Sequence, residues 1–342
     1  MSLFRKPSSS EGVVTAPETP PLFLAAFGKH PGWDDHIDDI GLETQPLIEV
    51  KQALYLDGIP QQFSEWDKLD DLGRLAEFKH LFIWRRPTGW FFGKIWSSSD
   101  GKGRSRYPMI TCAQFNGPDG VDAARRLCPL LKELEAACKQ ASTAESVRRI
   151  CRVHQESMRA LFTNAKPPAP PMPDSDLMER MQGGPYDESL LRVIYQVQTQ
   201  MGAYARGGTA RKPGEELPRP QQIRVPAVPD QTLDSMLFWL RFFVSYSDVA
   251  VPILIAAPTD ESWLDVTLGE PGEHEFFSLR ATPKSLPPAS EVPYNIDDAF
   301  RASARALLDN LRNGLPANAL VGGDGEESMT RRWLKSKWFG GG

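Results

Sequence analysis

The chain has few cysteines, no long apolar run and no surplus of basic charge. Its four cysteines, Cys112, Cys128, Cys138 and Cys151, include no C-x-x-C pair. Neither a zinc ribbon nor a disulfide scaffold is therefore written into the sequence, and a reducing compartment is the simpler reading. The 39 Lys and Arg residues against 44 Asp and Glu leave a formal charge of −5. With no positive field to neutralise phosphates, nucleic acid is disfavoured as a partner. The longest uncharged apolar stretch, Val249 to Ala257, falls far short of the roughly 20 residues that a spanning helix needs. Behind the basic start, the segment to Pro20 supplies Ser, Thr, Glu and Pro in place of the apolar stretch of a secretory leader. The expected location is cytoplasmic.

What is present is enough apolar material for one large core or two small ones: 41% of 342 residues are hydrophobic. Residues 1–20 read as a disordered tail, 21–313 as an α/β domain and 314–342 as a flexible tail, with Pro-rich insertions at 166–174 and 205–230. The run Leu22 to Phe27, closed by Gly28, suits a buried strand. Helical spacing of Leu47, Val50 and Leu54 predicts a helix over Pro46–Leu56. His80–Arg86 and Trp90–Trp96 flank Pro87-Thr88-Gly89 as a hairpin, and Met109–Phe115 returns as a third strand. Trp90, Phe92 and Trp96 alternate onto one strand face, where core is the better reading than a base-stacking platform.

Apolar stripes at Leu127, Leu131 and Leu134, and at Val147, Cys151, His154, Met158 and Leu161 behind a capping signal at Ser142, predict a helical hairpin. Leu190, Ile194, Val197 and Met201 predict a further helix, and so do Leu233, Met236, Leu237, Leu240 and Val244. Residues 205–230 show no periodicity and read as a long loop or linker. Val251–Ala257 and Trp263–Leu268 read as strands, Glu275–Leu279 as a weaker one, and Asp297–Leu311 as a closing helix. Strict β-α alternation is lacking. The expected class is therefore α+β, with a mostly antiparallel or mixed sheet flanked by helices, in one sheet or in two sheet-bearing halves.

Two loops carry the candidate chemistry. Gly28 to Asp39 places His30, Asp34, Asp35 and His36 close together, a donor set for a divalent metal and for a metal-dependent hydrolase. The spacing matches no helical zinc motif, and a polar loop whose aspartates cap turns is the plainer reading. Ser97 to Arg106 combines Asp-Gly and Gly residues with Lys102, Arg104 and Arg106. Such a loop serves an anion or a phospho-peptide, or forms a solvated turn. It lacks the G-x-x-x-x-G-K-[ST] pattern, which argues against a nucleotide P-loop. No G-x-S-x-G elbow occurs; Cys112 falls in a strand and His154 on an apolar stripe, while His80 and His274 have no evident partner. No catalytic residue, metal or cofactor is assigned. The C-terminal Arg331–Phe339 mixes four cations with four large apolar residues, a composition for weak contact with an anionic membrane or for docking into a groove.

Taken together, the two loops resemble the TagF (ImpM) family of type VI secretion accessory proteins. Gly28, Lys29, Pro31 and Asp35 match that family's G-K-x-P-x-x-x-D. Ser98, Asp100, Gly103 and Arg104 match its S-x-D-x-x-G-R, followed by Tyr107 and Pro108 as its aromatic and proline. His36 stands where the family has an aromatic, and one extra residue precedes Tyr107. A fainter echo is Trp239 leading through Pro252–Ala257 to Pro258; the resemblance spans roughly residues 22–270. It implies a longin-like antiparallel core with helical insertions. It also implies a non-enzymatic, cytoplasmic, post-translational regulator or assembly factor of a contractile secretion machine, with secretion-system partners such as an FHA-domain scaffold. The motif loops are then expected to lie near one another and to shape a partner-binding surface.

Overall fold

In the computed structural model, which describes residues 21–163, 167–182, 188–205, 218–248 and 250–315, seven strands form one sheet. They are β1 (Leu22–Gly28), β2 (Lys79–Arg86), β3 (Gly89–Trp96), β4 (Met109–Phe115), β5 (Gln221–Pro226), β6 (Ile253–Pro258) and β7 (Trp263–Leu268). The order is β1-β4-β3-β2-β6-β7-β5, and every neighbouring pair is antiparallel. The expected α+β class is what the chain forms. A single sheet runs through both halves, because β2 pairs with β6 from His80↔Pro258 to Arg85↔Ile253.

The strands read as nearly continuous apolar runs because both sheet faces are covered. On one face lie α4 (Gly120–Gln140), α5 (Ala144–Thr163), α6 (Asp174–Gln182), α7 (Ser189–Gln200), α8 (Thr232–Tyr246) and α9 (Asp298–Arg312). The other face is covered by a smaller layer. It comprises α1 (Gln45–Lys51), a π-helical continuation to Gly58, the short α2 (Ile59–Gln61) and α3 (Phe63–Trp66), and a 3₁₀ turn over His274–Leu279. Phe92 and Trp96 point into the larger core and are buried, and Trp90 packs against it, so these aromatics are core. Helix starts follow capping chemistry: Thr44, Asp119 and Asp297 accept N–H groups of the first turns of α1, α4 and α9.

Three expectations are corrected. The linker assigned to 205–230 contains β5, an edge strand. Only Ile223 and Val225 of it enter the large core, whereas Gln222 and Arg224 turn to the other face and bond there, so its polar half hides the alternation. Glu275–Leu279 belongs to the 3₁₀ turn instead of a strand; Phe276 and Leu279, three apart, are both buried, as eclipsed positions of that helix are. The cap of α5 is Thr143, whose Oγ1 accepts the Ser146 N–H at 3.2 Å, where Ser142 was expected. The helix α6 was not foreseen, because it follows a proline-rich stretch directly. Residues 1–20 and, of the C-terminal tail, 316–342 with Arg331–Phe339 lie outside the described residues, as do 206–217.

Both edges are guarded. Beside β1, the Ala26 and Ile40 backbones exchange hydrogen bonds of 2.9 and 3.0 Å, and Arg159 of α5 donates to the Leu22 carbonyl. Beside β5, a short 3₁₀ turn at Ala289–Glu291 packs. Covered edges offer no template for another strand.

Candidate functional site

The site grows from the end of β1. Gly28 has φ +118°, and a Cβ there would stand 2.3 Å from the Pro108 carbonyl oxygen, so only glycine lets the chain pass this close. The Lys29 N–H then donates to that carbonyl, and the Ile37 N–H donates to the Gly28 carbonyl. Between them Pro31 leads a turn closed by the Trp33 N–H on the His30 carbonyl at 3.0 Å. The second loop is wound around Asp100. Its Oδ1 accepts the N–H groups of Lys102 and Arg104, both at 3.0 Å, and Gly103 at φ +78° closes the turn.

The two loops are joined by charge. Lys29 Nζ donates to Asp35 Oδ1 at 2.6 Å and to Asp100 Oδ2 at 2.9 Å. Arg104 Nε donates to Asp100 Oδ2 at 2.7 Å, and its Nη2 donates to the Asp34 carbonyl at 2.8 Å and lies 3.2 Å from Asp35 Oδ1. The Gly101 N–H completes the seam on the Trp33 carbonyl. The Lys29 and Asp100 side chains are buried, whereas Asp35 is 64% and Arg104 53% exposed. Burial pulls the Lys29 ammonium down, but the Asp100 and Asp35 carboxylates outweigh it and the net shift is upward. Burial also opposes the Asp100 charge, yet the donors from Lys29, Arg104 and Lys102 hold its carboxyl well below the ordinary range. The hydrogen bond from Lys29 lowers Asp35 as well.

Six motif residues, Gly28, Lys29, Asp35, Asp100, Gly103 and Arg104, thus meet in one knot, with Pro31 setting the adjoining turn. Ser98 is half-buried in the approach to the loop; the hydroxyl engaged there is that of Ser97, which accepts the Phe78 N–H. Tyr107 packs on His36 and, edge to face, on Phe63 at 4.9 Å. Sequence reasoning missed the Asp34 and Trp33 carbonyls, the Cys138 carbonyl that holds His30, and Arg148, which stacks on Trp33 and pairs with Asp38. Backbone acceptors leave no trace in residue type, and Arg148 reads as one more cation on a helix.

The proposed metal donors do not converge. His30 Nδ1 accepts the Gly32 N–H, so Nε2 carries the proton and donates to the Cys138 carbonyl at 2.9 Å. Burial lowers its basicity, against the pull of that carbonyl. His36 Nδ1 lies 2.7 Å from the Tyr55 hydroxyl, and Asp35 faces cations. Among the described residues no cluster of three or more His, Cys, Asp and Glu side chains is arranged to hold a metal ion. The anion reading is weakened too, since Arg104 is committed to Asp100, and Arg106 to Asp67 at 2.9 Å and to the Phe63 face. Cys112 is buried, and burial pushes its thiol far up. His154 is half-buried, with Nδ1 on the Ile150 carbonyl.

Fold and site thus define an α+β protein, helices covering one antiparallel sheet, with an ion-paired double loop at one end. No family model matches the chain, and no curated protein matches it. Among solved structures, the crystal structure of PA0076 from Pseudomonas aeruginosa PAO1 aligns over 75% of this chain and 94% of that one, at 13% identity and a TM-score of 0.36. At that level the likeness carries no argument. Among the described residues no helix is long and apolar enough to cross a membrane.

Proposed function

We propose that this protein is a TagF-like accessory factor of a type VI contractile secretion system, working in the cytoplasm through protein–protein contact and without turnover. The observation that supports the reading is the meeting of the two motifs. Lys29 and Asp100, 71 residues apart, share one buried ion pair, while Asp34, Asp35, His36, Lys102 and Arg104 stand exposed around it. The inner charges fix the loop shapes; the outer ones, held in place by them yet exposed, are available to a partner such as an FHA-domain scaffold. A knot whose donors are spent on internal acceptors suits recognition by shape and charge better than proton transfer or metal chemistry.

The test is crosslinked affinity capture of the tagged full chain from its own host, read by mass spectrometry, beside Lys102→Glu and Arg104→Ala. The expected result is recovery of scaffold, sheath or baseplate proteins by the native chain. Lys102→Glu should lose them while its unfolding midpoint is unchanged, which separates surface from stability. Failure to recover any secretion component with well-expressed, folded protein overturns the proposal.

A further inference from the structure

We propose a second site, independent of the motif loops: the cleft between the start of α4, the Pro171–Asp174 stretch and α8 binds a carboxylate through Arg125. The strand β4 runs from Met109 beside the motif loops to Phe115, and α4 starts five residues later. The cleft therefore opens at the opposite end of that strand. It measures about 430 Å³, within the range of small-ligand sites. Val121, Pro171, Met172 and Pro173 give it apolar walls.

Most of the charge in the cleft is already matched. Asp119 Oδ1 accepts the N–H groups of Val121 and Asp122 at 3.1 and 2.9 Å. The Asp122 carboxylate pairs with Arg126 at 2.6 Å, and Asp174 pairs with Arg241. Asp234 accepts the Met172 N–H at 3.1 Å. Arg125 is different: its Nε is buried and meets no acceptor among the described residues. A guanidinium keeps its charge at any pH the fold survives and presents a planar fork suited to a carboxylate. Burial pushes the Asp174 carboxyl up, even though it lies in the field of both Arg241 and Arg125.

The three aspartates in the wall select among anions. With Asp119, Asp122 and Asp174 facing Arg125 and Arg241 in the wall, each added negative charge on a ligand is opposed, so a singly charged carboxylate is preferred to a doubly charged phosphate. The apolar walls favour a short hydrocarbon behind the carboxylate. Such a group comes from a small free acid or from an acidic side chain of a polypeptide.

Calorimetric titration of the full chain tests this with three probes: butyrate, inorganic phosphate and a capped Val-Glu-Pro-Val peptide. Butyrate is expected to bind at least tenfold more tightly than phosphate, and Arg125→Gln to weaken it at least tenfold. Arg125→Lys, which keeps the charge and loses the fork, falls between and remains informative where the glutamine variant does not fold. Tighter binding of the peptide than of butyrate assigns the carboxylate to a polypeptide; the reverse order assigns it to a free acid. Absence of butyrate and peptide binding, or binding unchanged in both variants, overturns the proposal.

Discussion

Two buried ion pairs stand at opposite edges of the sheet, and they are built differently. In the β5–β7 pair, Arg224 and Asp265 sit on regular strands, joined by two hydrogen bonds of 2.8 and 2.9 Å. The remaining Arg224 donors go to the Leu286 and Ser278 carbonyls, and both side chains are sealed from solvent. In the motif knot the charges sit on loops, only the inner partners are buried, and the outer rim is open. A charge pair locked inside strands serves the fold. A charge pair that shapes two loops and leaves residues outside it also builds a surface.

The largest effect expected from breaking this contrast is at the sealed pair. Asp265→Asn leaves a buried guanidinium without its counter-charge, and urea unfolding should show a loss of about 3–5 kcal/mol. Acid comes next. His80 lies fully buried beside Lys94 and Arg224, and burial first, then those cations, drives its pKa from 6.5 down to about 3. The unfolded chain takes up that proton near pH 6.5 and the folded one only near 3. Stability is thus full above that window and falls as the pH drops through it, by about 2 kcal/mol at pH 5. His80→Leu should flatten this slope. The knot responds in the same direction but at lower pH: Asp35 and Asp100 are held below 3.8, so their contribution is intact above that pH and is lost only below it.

Smaller still is Gly28→Ala, which forces a side chain into a positive-φ position against the Pro108 carbonyl; denaturation should show a cost of about 1–3 kcal/mol. Smallest is Lys102→Glu, whose exposed side chain should change stability by no more than about 0.5 kcal/mol while changing partner capture. A rim substitution as costly as Gly28→Ala would erase the distinction between inner and outer residues.

The strands that were legible in the sequence are those whose two faces both enter apolar layers, such as Met109–Phe115, buried along its whole length. The strand β5 was not, because Gln222 and Arg224 answer to partners as distant in sequence as Glu275 and Asp265. The same distinction runs through the site. Lys29, Asp35, Asp100 and Arg104 declare themselves by type and spacing. The role of His30 does not: its protonated nitrogen ends on the Cys138 carbonyl, 108 residues away, and a main-chain oxygen has no letter in the sequence.

The strand order has a consequence for synthesis. The central strand β2 receives its outer neighbour only from β6, and Thr259 bonds to Lys79 across 180 residues. At a ribosomal rate of roughly 5–20 residues per second, the completed β1-β4-β3-β2 half waits about 7–30 seconds with the β2 edge bare. The nascent chain therefore passes through a stage in which its central strand is open to pairing with the wrong neighbour.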